Sequence, residues 1–432
     1  MNRQNNILQQ VVRGIKDMCY IWVKEMRTSI TDQGLFIFFI LVPLVYPLIY
    51  AWIYNNEVVR DVPIAVVDMS KSALSRQFIR NIDSSADTKV ALHASSLQEA
   101  KDFIGKQQVH GVIFIPEDFA KDINRGEQAQ VSVYCDMSLL ITYKAIYATT
   151  QAVASKMNKE IQITLSGNTT KREDEVMTQP LNYKEVPIFN PTGGYGNFII
   201  PAVLLLILQQ TLLLGIGMAA GTAREHNRYQ DLIPISRHYN GIFRIVLGKS
   251  LAYFMIYAVM GAYITLVVPK IFDFTSIIGN RFELMGLMIP FLLACIFFGM
   301  TISCLIRYRE NVIMLIVFSS LPILFMTGIS WPQNNIPGFW QGISWLFPST
   351  FGIRGFVRMS SMGANLQDVQ QEYIVLWIQT LLYFFTTCIV YRYQIINTQK
   401  RAIQRFKELR EKAIEAKTKN VQNVTEEFEA YI

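Results

Sequence analysis

The sequence predicts a membrane protein: an all-α transmembrane bundle of six helices with an inserted extracytoplasmic mixed α/β domain. Three observations predict it. The 432 residues are 51% hydrophobic and only 17% charged, and mean hydropathy is +0.25, which is too apolar for a soluble chain of this length. Six apolar runs approach the roughly 20 residues that a helix needs to cross a bilayer core. Between the first and second runs, strand and helix patterns alternate.

Residues 1–33 read as an amphipathic interfacial helix on the cytoplasmic face. Leu8, Val11, Val12, Ile15, Met18, Cys19, Trp22 and Met26 follow helical apolar spacing, while Arg13, Lys16, Lys24 and Arg27 fall mainly on other faces. A basic helix with Trp22 on its apolar side suits a membrane surface; packing against a soluble partner is compatible with the same pattern. The segment does not read as a cleavable signal peptide, because the first apolar run begins late and is long. That run, 34–54, is the first span, and it holds no charge. One central charge would cost about 3 kcal/mol. Pro43 and Pro47 are expected to kink it.

Residues 55–196 read as the α/β domain. Strands are expected at 62–68, 89–94, 109–116 and 130–136, and helices at 72–82, 96–107, 117–124 and 138–162. Ser96 and Glu99 have capping-box spacing. Residues 166–175 are polar and read as a mobile loop. Asp68 and Asp136 each end a strand, where a turn-forming role outweighs a ligand-binding one. Long loops translocate largely regardless of charge, so this domain fits outside the cytoplasm.

The remaining spans are 197–220, 246–268, 284–306, 311–330 and 372–392. Between the second and third lies a polar, arginine-rich stretch, 221–245, that belongs at the membrane surface. Lysine and arginine also gather before the first span, at Arg307 and Arg309, and in the tail 393–432. The positive-inside rule places all four groups, and both termini, in the cytoplasm. Residues 331–371 are external yet apolar, with Trp331, Trp340 and Trp345 interrupted by prolines. They read as a re-entrant or interfacial element. The charged tail is helical in pattern and either touches anionic headgroups or binds a partner.

Several function classes are excluded. The net charge of +7 follows from topology, without a nucleic-acid signature. The five cysteines lack CxxC spacing, and only Cys135 falls in the α/β segment, so no internal disulfide is expected there. The four histidines are scattered, and no metal-binding or catalytic spacing is present. Gly248-Lys249-Ser250 ends like a phosphate-binding loop, but Phe243 stands where the first glycine is required and no strand precedes it. Lys249 is expected to snorkel to the interface. No ionisable residue sits centrally in a span, which argues against an ion-coupled carrier. The neutral residues Tyr46, Tyr50, Gln209, Gln210, Ser319 and Ser320 serve either interhelical hydrogen bonding or a mildly polar substrate path.

The order of blocks resembles the ABC-2 type transporter permeases, in the multidrug-exporter-like subgroup with a large external domain after the first transmembrane helix. The residues that carry the resemblance span nearly the whole chain. They are Val66-Val67-Asp68 with Ser70 and Ser72, Gly111 to Phe119, Phe189-Asn190-Pro191, Arg224-Glu225, Pro234 to Arg237, Gly248-Lys249, and Leu346-Phe347-Pro348 with Arg354 and Gly363. The family usually has Glu-Arg-Glu-x-Gly-Thr after the second span. This chain departs from that pattern, with Glu225-His-Asn-Arg-Tyr-Gln-Asp231.

The resemblance implies a permease half that dimerises with a second copy or a paralogue in the cytoplasmic membrane and carries no ATPase site. ATP and Mg would be bound by a separate ABC ATPase subunit. It also makes Arg224, Glu225, Arg228, Asp231, Pro234, Ile235, Ser236 and Arg237 the coupling segment for that subunit, with the N-terminal helix completing the dock. A periplasmic membrane-fusion adaptor is a further candidate partner; nucleic acid is not. The expected cargo is lipophilic or amphipathic. The alternative reading is a membrane receptor or sensor whose external domain binds a ligand.

Overall fold

The computed structural model describes the chain apart from residues 1, 56–57, 167–169, 180, 182–185, 187, 191–192, 227–238, 240, 275–279, 305, 307 and 430–432. It forms two compact units, Met1–Asn55 with Ile188–Ile432, and Asn56–Pro187. Among the described residues, six helices are long and apolar enough to cross a membrane.

Helix α1 (Asn2–Thr31) leads into the first span, α2 (Gln33–Ile53). Asp32 separates them as an N-cap, accepting the Gly34 and Leu35 amides at 2.9 and 3.1 Å. Inside α2, residues Ile37–Leu41 form a π turn just before Pro43. Proline has no N–H for the carbonyl four residues earlier, here Phe39, and the chain takes a wider turn there. A second π turn, Tyr263–Val267, likewise precedes a proline, Pro269. Tyr257 and Tyr263 donate to the Phe38 and Leu44 carbonyls at 3.3 and 3.1 Å. Hydroxyls of another span thus satisfy backbone groups around the disturbed turn.

The second unit is a mixed α/β domain. Its elements are β1 (Val62–Asp68), α3 (Ala73–Asp83), β2 (Thr88–His93), α4 (Leu97–Gly105), β3 (Gly111–Ile115), α5 (Phe119–Asn124), β4 (Ser132–Cys135), α6 (Leu140–Ser166) and α7 (Lys171–Thr178). The sheet order is β2-β1-β3-β4, with β1 parallel to both neighbours and β4 antiparallel at the edge. The central strand β1 is buried on both faces, which explains its nearly continuous apolar run. Ile64 and Val66 join Phe78, Ile82 and Ile146 on one side. Ala65 and Val67 join Ala100 and Val112 on the other. Asp68 and Asp136 are turn formers: Asp68 accepts the Ser70 and Lys71 amides, and Asp136 the Ser138 amide. The polar stretch expected to be a mobile loop differs, because Lys171–Thr178 is helical, with Thr170 accepting the Glu173 amide as its cap.

The first unit continues with α8 (Tyr195–His226), α9 (Ile242–Ile271), α10 (Arg281–Ser303) and α11 (Arg309–Met326). Two short helices follow, α12 (Gly338–Ser344) and α13 (Pro348–Ser361), and then α14 (Gln370–Glu429). Helix α8 is the most enclosed span, packed by α10, α11 and α13. Around α12, Trp331, Phe339, Trp340 and Trp345 remain exposed, as interfacial aromatics do. The last span and the charged tail are one helix of 60 residues. No glycine or proline interrupts it.

Candidate coupling site

The N-terminal helix does not merely lie beside the bundle. It packs along the first half of α9, and Gly248 lies in that contact. A Cβ at that position would stand 3.0 Å from Ile21 Cβ and from the Met18 carbonyl oxygen. The glycine that imitates a phosphate-binding loop is therefore a helix-crossing glycine. Ile21 is fully buried at the crossing, which contributes about 2 kcal/mol.

Three carboxylates on or just after α1 meet three basic residues of the spans. Asp17 pairs with Arg244 at 2.8 Å, Glu25 with Lys249 at 2.6 Å, and Asp32 with Arg309 at 2.7 Å. Lys249 is only 3% exposed, so it does not snorkel to the interface as its sequence position suggests. A carboxylate reaches it from α1 instead. The other Glu25 oxygen accepts the Tyr253 hydroxyl at 3.1 Å, and Tyr253 stacks on Phe39 with ring centroids 5.4 Å apart. Helix α1 is thereby joined to α9 and, through Phe39, to α2.

Around this core sit the residues expected to hold the membrane surface. Arg13 and Lys16 are exposed, and Trp22 is half-buried. Lys24 places its ammonium 5.3 Å from the Tyr239 ring centroid. Burial, and then the nearby Glu25 carboxylate, push the Tyr239 phenol above its ordinary range. Burial would raise the Asp32 carboxyl. The Leu35 amide, the Arg309 guanidinium and the Gly34 amide outweigh it and hold the group below the usual carboxylate range.

The expected coupling residues separate. Arg224 is 6% exposed and donates from Nη2 to the Cys304 carbonyl at 2.8 Å. It ties the end of α8 to the end of α10, where unpaired helix carbonyls need donors, so its guanidinium faces the protein interior. Glu225, one residue on, is exposed. Arg228, Asp231, Pro234, Ile235, Ser236 and Arg237 lie outside the described residues.

The candidate path residues also separate. Tyr46 and Tyr50 stand 6.2 Å apart, and Tyr50 continues to Tyr54 at 5.1 Å and from there to Tyr195 at 5.9 Å. Gln209 is fully buried and accepts the Cys295 thiol at 3.3 Å. Its Nε2, and both amide atoms of the buried Gln210, lack partners among the described residues. Ser319 and Ser320 turn back on their own helix, bonding the Ile316 and Val317 carbonyls. These residues make no joint hydrogen-bonded path among the described residues.

Sequence reasoning missed the three ion pairs. The available signal was Arg244 and Lys249 at the start of an apolar run, where buried cations require counter-charges. The acids that answer them come from α1, more than two hundred residues away, past nearer acids such as Asp231 and Asp273.

A family model described as "ABC-2 family transporter protein" matches residues 34–389. The chain is similar to the probable multidrug ABC transporter permease YbhR of Escherichia coli K12, with 20% identity over 75% of this chain and 84% of that protein. It is also similar to the inner membrane transport permease YhhJ of the same organism, with 22% identity over 84% of this chain and 94% of that protein. The YhhJ of Shigella flexneri matches to the same extent, 22% over 84% of this chain.

Proposed function

The chain belongs to the ABC-2 transporter family, and we propose that it is the membrane half of an exporter driven by a separate ABC ATPase. Two copies, or this chain and a paralogue, assemble in the cytoplasmic membrane. Both termini and the stretch after α8 face the cytoplasm, and the α/β unit lies outside. The ATPase subunit binds ATP and Mg, and its movement reaches the spans through α1 and the end of α8. The cargo is lipophilic or amphipathic. A membrane-fusion adaptor on the outer side fits the same scheme. The names of the relatives, a multidrug permease and an inner membrane permease, favour this reading.

The observation that carries the coupling role is the set of three ion pairs fastening α1 to the spans. A helix held only by the membrane surface would slide when pushed. One fixed by Asp17, Glu25 and Asp32 to Arg244, Lys249 and Arg309 moves with α9 and α11. Among the described coupling residues, Glu225 is the exposed carboxylate that would meet a basic group or helix N-terminus on the ATPase.

The test is a pull-down from membranes in which the tagged chain is co-expressed with the ABC ATPase subunits of the same genome. Recovery of an ATPase whose hydrolysis depends on this chain is expected. Failure to recover one, with no ATPase activity dependent on the chain, overturns the proposal.

A further inference from the structure

One cavity belongs wholly to the α/β unit and takes no part in the coupling site. It is a cleft of about 990 Å³ between β4, α5 and α6. Element lengths explain why it exists. Strand β4 has 4 residues and spans roughly 13 Å, whereas α6 has 27 and spans roughly 40 Å. The helix outruns the sheet edge it covers, and its later turns overhang open space.

The floor of the cleft is apolar. The Phe78 and Phe119 rings stand 6.4 Å apart, and both, with Met157, are at most 5% exposed. Ile123, Val133 and Ile161 form half-buried walls. The exposed rim carries the neutral amides Gln128, Gln151, Asn158 and Gln162. Among the described lining residues there is no lysine, arginine, histidine or aspartate, and Glu127 is the single charge. A cavity of this size with an apolar floor and a few polar groups is of the kind that encloses a drug-sized ligand. An anion would find no cation there and would face Glu127. A cation would find one solvated carboxylate.

We infer that this cleft binds an uncharged amphipathic small molecule, with its apolar body on the Phe78–Phe119 floor and its polar end among the rim amides. The inference rests on the export reading for its purpose, since it gives the cargo a protein-lined site outside the spans. Binding itself needs no ATPase, so the two readings can be tested separately.

The test uses the full chain in lipid nanodiscs, without an ATPase and with a diazirine-bearing monoacylglycerol as probe. Photo-adducts mapped by peptide mass spectrometry are expected at Phe78 and within residues 119–165. They should fall at least about fivefold in Ile161→Asp and in Ala154→Trp, which spoil the cleft from two positions. Cys135, the single cysteine of this unit, lines the cleft and is a built-in reporter. Monoacylglycerol should slow its alkylation by N-ethylmaleimide about fivefold, and the anionic lysophosphatidic acid should not. Adducts confined to the spans, or equal protection by the anionic lipid, overturn the inference. So does Cys135 protection that is present without probe in two-copy nanodiscs and absent in one-copy nanodiscs, which would make a second copy of the chain the occupant. Recovery of an ATPase by Ile161→Asp in the pull-down separates loss of this site from failure of the export reading.

Discussion

Inside an apolar helix, Lys249 is paired with Glu25, which reaches it from α1. Removing one partner of a buried pair leaves an uncompensated charge and costs about 3–5 kcal/mol. Lys249→Met is therefore expected to lower the thermal midpoint of the solubilised protein strongly. Glu25→Leu combined with Lys249→Met should recover most of that loss, because apolar replacements of similar volume are often neutral. Additive losses would show that the two residues act independently. Gly248→Val tests the crossing itself. Its Cβ would meet Ile21 and the Met18 carbonyl, and overpacking of this kind costs about 1–3 kcal/mol, read as earlier proteolysis of α1. Asp32 sets an acid limb. Its folded pKa lies below the ordinary 3.8, so its contribution is fully present above that value and is lost as pH falls through the folded pKa. In thermal scans between about pH 5 and 3, Asp32→Asn should flatten the acid loss while keeping a side-chain cap.

Helix α8 ends with a carboxylate, Glu225, where the helix dipole favours a cation. Glu225→Lys should therefore leave folding unharmed, or gain about 0.3–1 kcal/mol. Stimulated ATPase activity and export should nonetheless fall at least about tenfold. Normal export by this variant would count against the coupling role. The elements themselves were unevenly legible. The six spans were readable because length and lack of charge are local properties of a run. Strand β1 was readable because burial on both faces writes an unbroken apolar stretch. Helix α7 was not, because it has no apolar stripe to read. Its signal was Thr170 and Glu173, spaced like the Ser96 and Glu99 pair that the sequence did reveal. The α1 pairs were illegible for a different reason. Asp17 meets Arg244 across 227 residues of chain, and no local pattern records a partner that distant. The same holds for Arg224, whose basic character read as surface while its guanidinium lies buried against Cys304.

Across the whole molecule, parity does the sorting. On the proposed topology, in which all six candidate helices cross, one crossing would separate α1 from residues 62–178, two would separate it from the stretch after α8, and six from the tail. In a cysteine-free background, a cysteine at Asp102 should label with an impermeant maleimide only from outside the membrane. One at Glu225 or Arg405 should label only from the cytoplasmic side. Labelling of Asp102 and Glu225 from the same side would refute the six-span topology. Helix α14 adds a mechanical property to this arrangement. Its 60 residues measure about 90 Å at 1.5 Å per residue, against a hydrocarbon core of about 30 Å. Roughly 60 Å of rod is thus left beyond the span. Because no glycine or proline hinges it, a tilt of about 5° within the bilayer swings the far end by about 5 Å. The tail is a pointer, on which a spectroscopic label would magnify movements of the sixth span too small to resolve at the span itself.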